Sequence, residues 1–218
     1  MGDETYNTGV GPLRALILDY GNVLTYPQAP DVIQAMASRL GVTADAFTAA
    51  YWEHRHGYDA GEYPADDYWR RVLRSLGRRP EESDERALLD WLTGRDGDSW
   101  TRYRGDVWDL ARDVRAEHVR TAMLTNMSTE LADRIRHERP LTAWFDVVVV
   151  SAEVRCVKPD SRIYRLCLER LDAEPADTLF VDDRPGNVTA AVALGMRAVH
   201  FVGDDPAGEL RKALGRPR

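Results

Sequence analysis

Five polar residues stand where short apolar runs stop: Asp19 after positions 13–18, Thr125 and Asn126 after 119–124, and Asp182 with Asp183 after 178–181. Lys158 follows a further run at 147–150, in a loop beside Pro159. Together they offer three carboxylates, a hydroxyl, an amide and an ammonium. Hard oxygen donors from two strand ends suit Mg²⁺, which takes a few carboxylates plus water and substrate phosphate oxygens. A lysine at the same spot would offset carboxylate charge and hold a phosphate oxygen. Asp182-Asp183 is the strongest single signal, because adjacent carboxylates after a buried run repel unless a cation or donors compensate. Each of the others, taken alone, reads equally as a helix cap, a turn or a solvated loop.

The runs that carry these residues are too short for helices and do not alternate, so they read as strands buried on both faces. A fifth run lies at 198–202. Amphipathic stretches at 129–138, 160–171 and 185–194 fall between them, the last opening on Pro185 and stopping at Gly195. Strands alternating with helices imply βαβ units and a parallel sheet. In such a sheet, ligands bind beyond the carboxyl ends of the strands, which is where these polar residues fall.

The interval from Asp19 to Thr125 is several times a normal crossover and contains no clear strand. It shows helical patterns at 31–40, 44–54, 64–76 and 83–92, punctuated by Gly41, Gly57, Gly61, Gly77 and Gly94. Tyr68, Val72 and Leu76 would share one helix face. Trp52, Trp69, Trp91, Trp100 and Trp108 read as core aromatics of a helical bundle. The polar segment 54–62 reads as a helix–helix connection that either lines a pocket or is simply solvated. The expectation is a helical subdomain inserted after the first strand and returning near Asp106, with the last eight residues a frayed helix end.

At 218 residues the chain buries enough surface to need no disulfide or metal staple. Hydrophobic residues at 44% and charged residues at 30% exclude a disordered chain. With 36 acidic against 29 basic residues, a net charge of −7 argues against a sequence-independent grip on nucleic acid or an anionic membrane. Cys156 and Cys167, without a CxxC, read as reduced thiols of a cytoplasmic protein rather than zinc ligands. No apolar stretch reaches the roughly 20 residues of a membrane helix, and the polar N-terminus does not read as a signal peptide.

ALILDYGNVL at 15–24, AMLTN at 122–126, VKPDSRIY at 157–164 and TLFVDDRPGNVTAAVALGM at 178–196 resemble, in order, the four motifs of the haloacid dehalogenase-like hydrolase superfamily. The long insertion falls where that family places a helical cap. The resemblance implies an α/β fold: a Rossmann-like parallel sheet with helices on both faces, plus an inserted all-helical cap subdomain. The core would span 13–24 and 106–203, the cap 25–105, with terminal extensions at 1–12 and 204–218. It further implies that Asp19 is the nucleophile, Thr125 and Asn126 meet the phosphoryl group, and Lys158 binds phosphate and steadies Asp19. Asp182 and Asp183 would hold Mg²⁺ with Asp19 and the main chain of Gly21, Asp183 as principal ligand, and Asn187 would support that loop.

One position departs from the family pattern. The usual DxDx(T/V) carries an acid–base Asp where this chain has Gly21. The DxGNV form is similar to sugar-1-phosphate phosphatases and the epoxide hydrolase phosphatase domain. The implied activity is a Mg²⁺-dependent phosphatase acting on a small phosphorylated metabolite, such as a sugar phosphate, through an aspartyl phosphate. The alternatives are a catalytically silent binding protein, a 2-haloacid dehalogenase, disfavoured by the acidic pair, and a phosphomutase, disfavoured by Gly21. Without an acid at position 21, the leaving oxygen must depart charged unless a cap residue or water supplies the proton. That expectation favours aryl, acyl or anomeric phosphates over alkyl ones. Oligomeric state is left open.

Overall fold

The computed structural model describes residues 5–6, 12–203 and 205–216. The described residues form six strands: β1 Thr5–Tyr6, β2 Ala15–Leu18, β3 Arg120–Thr125, β4 Val147–Val150, β5 Thr178–Asp182 and β6 Arg197–His200. They form one sheet of order β1-β6-β5-β2-β3-β4. β2 to β6 run parallel, and β1 lies antiparallel, against β6. The extension read at 1–12 thus supplies an edge strand; its other residues up to Gly11 lie outside the described residues.

The helices are α1 Pro30–Arg39, α2 Ala44–Asp59, α3 Ala65–Ser75, α4 Glu82–Ser99, α5 Gly105–Ala116, α6 Thr129–Glu138, α7 Ser151–Val154, α8 Ser161–Leu171, α9 Pro185–Ala193 and α10 Pro206–Ala213. Alternate residues of β2 serve two cores. Leu16 and Leu18 pack with Val107, Leu110, Leu131 and Ile135 of α5 and α6, while Ala15 and Ile17 pack with Ile163, Cys167 and Val188 of α8 and α9. Burial on both faces is why these strands read as unbroken apolar runs. The last eight residues contain a helix end: α10 stops at Ala213, after burying Ala207 and Leu210 in the first core. Pro217 and Arg218 lie outside the described residues.

Helices α1 to α4 enclose a separate core of Met36, Phe47, Tyr51, Tyr68, Trp69, Val72, Leu89 and Leu92. Tyr68 and Val72 are fully buried there, with Leu76 at the edge. This unit leaves and rejoins the sheet through one paired crossing. Thr25 bridges Tyr103, flanked by Tyr26 N–H donating to Arg102 O at 2.8 Å and Arg104 N–H donating to Leu24 O at 2.9 Å.

Two helices run past their expected ends. α2 continues from His54 through Arg55, His56, Gly57 and Tyr58 to Asp59, so most of the polar segment 54–62 is helix. Gly57 is therefore interior, not a break. A Cβ there would lie 2.6 Å from the Tyr63 hydroxyl, so glycine admits the returning chain. α4 likewise runs through Gly94 and Gly97 to Ser99. At Gly97 a Cβ would sit 2.5 Å from Arg134 Nη1, which docks α4 on α6. Gly41, Gly61 and Gly77 do end helices, each with positive φ. The tryptophans also divide. Trp69 is in the helical core, but Trp108 and Trp100 belong to the sheet core, and Trp52 is 39% exposed.

Candidate active site

Parallel register sets the site. Leu18 lies level with Met123 on one side and Val181 on the other, so the residues just beyond these levels meet at the carboxyl edge of the sheet. Asp19 extends β2 by one step, its N–H donating to Val181 O at 2.9 Å. Lys158 crosses from the loop after α7. Its Nζ lies 2.8 Å from Asp19 Oδ1, 2.6 Å from Asp182 Oδ2 and 2.8 Å from Leu124 O. The ammonium is thus fully hydrogen-bonded and almost fully buried. Burial alone would lower its pKa, but Asp182 and Asp19 outweigh that and hold it above the ordinary lysine value. Lys158 therefore stays charged.

Each expected residue has a distinct place. Asp182, fully buried, accepts from Lys158 and Asn187 Nδ2 on Oδ2 and from Arg184 N–H and Asn187 Nδ2 on Oδ1. Both its oxygens are committed to protein donors. Asp183 is more open, its Oδ2 accepting from Asn22 Nδ2 at 2.7 Å. Asn126, expected beside the phosphoryl group, lines the cavity and binds the Lys158 peptide with its amide: Nδ2 donates to Lys158 O at 2.9 Å and Oδ1 accepts from Lys158 N at 2.8 Å. It clamps the lysine loop. Thr125 is buried at the end of β3, and Gly21 follows Asp19; both line the cavity.

Asp19, Asp182 and Asp183 can each offer an oxygen within 4.8 Å of the others. Against Lys158 alone, three carboxylates leave a formal −2, a hard-oxygen set that fits a divalent cation such as Mg²⁺. Burial, then the neighbouring Asp182 and Asp183, push the Asp19 carboxyl up to about 7, with Lys158 opposing. Burial also raises Asp183, opposed by the Asn22 hydrogen bond. Both shifts come first from burial, and Asp182 adds to each.

The other wall of the cavity comes from the helical unit and its exit: Trp52, Arg55, His56, Asp59 and Trp100. Trp52 meets Trp100 edge-on at 6.4 Å, and the Arg184 guanidinium lies 5.7 Å from the Trp52 ring centre. Behind them, Arg55 joins two carboxylates, with Nε 2.8 Å from Asp59 Oδ1 and Nη1 3.1 Å from Asp96 Oδ2. The units are latched together: Ser151 Oγ donates to Asp59 O, and Glu130 accepts from Tyr58 Oη and Ala65 N–H.

Of the segment 54–62, expected either to line a pocket or to be solvated, Arg55, His56 and Asp59 line the cavity; sequence reasoning missed Asn22, the place of Trp100 in the wall, and Asp96 as the second partner of Arg55. Only Asn22 carried a local signal, since an Asn after Gly at a strand end suits the left-handed backbone it adopts, φ 60°.

A family model described as haloacid dehalogenase-like hydrolase matches residues 13–195. A sesquiterpene phosphatase of Aspergillus oryzae is 29% identical over 205 residues, spanning 93% of this chain and 97% of its own. An (S)-2-haloacid dehalogenase of Pseudomonas sp. strain CBS-3 is 25% identical over 199 residues, 87% of this chain and 85% of its own. Among solved structures, a HAD family enzyme of Bacteroides thetaiotaomicron superposes with a TM-score of 0.73 at 16% identity, covering 89% of this chain and 97% of that one.

Proposed function

The chain belongs to the haloacid dehalogenase-like hydrolases, and from that premise we propose that it is a Mg²⁺-dependent phosphatase, hydrolysing a small phosphorylated metabolite through an aspartyl phosphate on Asp19. The observation that carries this reading is the single ammonium of Lys158 bound to both Asp19 and Asp182, with Asp183 alongside. Residues 13–24 and 106–203 act as the core, and 25–105 as a cap over its strand ends.

Asp19, Asp183 and the Gly21 carbonyl would hold the metal, which when bound neutralises charge on the phosphoryl oxygens. Asp182 is instead the anchor that fixes Lys158, itself oriented by Asn187. Asp19 Oδ1 accepts from Tyr20 N–H at 2.7 Å as well as from Lys158, so the nucleophile is held in one orientation. Its carboxylate attacks phosphorus, and the Thr125 hydroxyl donates to a phosphoryl oxygen. Water then cleaves the acyl phosphate. Such transfers draw their rate from positioning and charge complementarity, which this ring supplies.

A carbon-centred dehalogenation by Asp19 would need no cation, and a net −2 around the nucleophile is poorly suited to binding a carboxylate substrate. Hydrolysis of an aryl phosphate, measured with Mg²⁺ and after EDTA, separates the two. Activity lost with EDTA and restored by Mg²⁺, with phosphate trapped on Asp19 by mass spectrometry, is the expected result. Metal-independent halide release would overturn the proposal.

A further inference from the structure

The family pattern places an acid at position 21, where this chain has a glycine that faces the Trp100 indole. A Cβ on Gly21 would stand 3.5 Å from Trp100 Cζ3, an ordinary contact, so the indole edge borders the position without supplying an acid there. The indole is pinned. Trp100 Nε1 donates to Tyr51 Oη at 3.1 Å, and Trp100 O accepts from Tyr20 Oη at 2.9 Å. A side chain that protonates the leaving oxygen would have to stand elsewhere on the cavity wall.

Few lining groups can give one. Arginine does not deprotonate in proteins, Lys158 donates to three acceptors, and the Tyr20 hydroxyl is occupied by Trp100 O. Asp19 and Asp183 serve the nucleophile and the metal. His56 and Asp59 remain. His56 is exposed, whereas Asp59 is 9% exposed and held from three sides. Arg55 Nε binds its Oδ1, the helix fixes its backbone, and its carbonyl accepts from Ser151 Oγ. The same Ser151 Oγ accepts from Met127 N–H, so Asp59 is tied to the loop after Thr125. The charged groups facing it are Arg55 on its own helix, Asp96 from α4 and Arg184 from the loop after β5. One guanidinium thus serves two buried carboxylates. Burial first, then Asp96, push the Asp59 carboxyl up to about 6, with Arg55 opposing.

We propose that Asp59 is the acid–base catalyst of this hydrolase, supplied by the helical unit in place of the absent residue at position 21. This rests on the phosphatase reading. As an Asp19 carboxylate oxygen bonds to phosphorus, the ester P–O bond breaks and its electron pair stays on the leaving oxygen. That oxygen takes the Asp59 proton and departs as an alcohol, leaving an Asp59 carboxylate stabilised by Arg55. In the second step water bonds to phosphorus and gives a proton to Asp59. The acyl phosphate P–O bond breaks, releasing inorganic phosphate and the Asp19 carboxylate.

The test is kcat/KM for the parent, Asp59→Asn and His56→Gln across phosphate esters from 2,4-dinitrophenyl through phenyl to simple alkyl. This ratio reads the steps up to departure of the alcohol. The parent should show a shallow dependence on leaving-group pKa. Asp59→Asn should lose about 100- to 10,000-fold on alkyl esters and only a few-fold on the dinitrophenyl ester, so that the slope steepens. His56→Gln should keep the parent slope. A steep parent slope overturns the proposal without any variant, as does an equal loss of Asp59→Asn across the series or a slope change in His56→Gln. A parent that traps phosphate on Asp19 but shares its slope with Asp59→Asn sinks this inference alone. A parent inert to every ester removes the phosphatase reading and this inference with it.

Discussion

The two walls of the cavity are built on opposite rules. On the sheet side, the polar groups come from strand ends and the segments just after them, and each is tied to another: Lys158 to Asp19 and Asp182, Asn126 to Lys158, Asn187 to Asp182. Register fixes them, and little can move without breaking several bonds. On the helical side two tryptophans share the lining with Arg55, His56 and Asp59, and one guanidinium serves two buried carboxylates. The sheet wall can define the phosphoryl end of a substrate; the helical wall shapes what departs from it.

The largest expected effect falls on the sheet wall. Asp19→Asn keeps size and loses nucleophilicity, so activity should drop at least about 1,000-fold, roughly 4 kcal/mol of barrier, with the circular dichroism spectrum unchanged. Substantial residual turnover would place the nucleophile elsewhere and erase the contrast between the walls.

Next comes the stability of the helical wall. Arg55→Met leaves Asp59 and Asp96 buried without their cation, which costs about 3–5 kcal/mol and a fall in Tm on the order of 10 °C. Arg86→Ala breaks ion pairs that are exposed to solvent and should leave Tm nearly where it was. Equal melting of the two variants would mean that the buried group contributes no more than a surface pair.

A smaller effect concerns pH. Asp59 binds its proton more tightly folded than unfolded, because its carboxyl rises from 3.8 to about 6. Stabilisation from the protonated form is therefore complete below about pH 4 and lost as pH rises through 6. The whole swing is at most about 3 kcal/mol, at about 1.4 kcal/mol per unit. Asp19 adds a change of the same sign extending to about 7. Urea titrations from pH 4 to 7 should show Asp59→Asn losing part of the parent's decline; identical curves would remove Asp59 as its source.

The smallest effect is expected at Trp52. Its ring is 39% exposed, so Trp52→Ala should change stability by about 0.5 kcal/mol or less. KM for aryl phosphates should rise several-fold, because the ring lines the cavity. An unchanged KM would show that substrate does not use the aromatic face.

The same contrast explains what could be read from the chain. Asp19, Thr125, Lys158 and the Asp182–Asp183 pair were legible because each follows a short buried run, and parallel pairing brings such ends together. The finer division of labour was not. That Asp182 holds Lys158, and that Asn126 clamps the lysine loop, depends on hydrogen bonds formed only when distant loops meet. In the helical unit, periodicity announced the helices but not their lengths. Gly57 and Gly94 suggested breaks, since glycine is a poor helix former, yet at Gly57 close approach of Tyr63 makes the missing side chain an asset. Nothing near Gly21 hinted that Trp100, far along the chain, would stand beside it.

The paired crossing at Thr25 and Tyr103 has a consequence for how such a molecule can diversify. Because the chain leaves and returns at neighbouring points, the sheet experiences the whole helical unit as a closed loop on a narrow neck. Loop-closure entropy grows only with the logarithm of loop length, so lengthening, shortening or exchanging what hangs from that neck costs the sheet little. The neck thus uncouples two rates of change: the strand-end ring stays fixed while the hanging unit is free to be replaced wholesale. A transplant cut between Thr25 and Tyr103 is the natural way to carry one leaving-group preference onto another sheet.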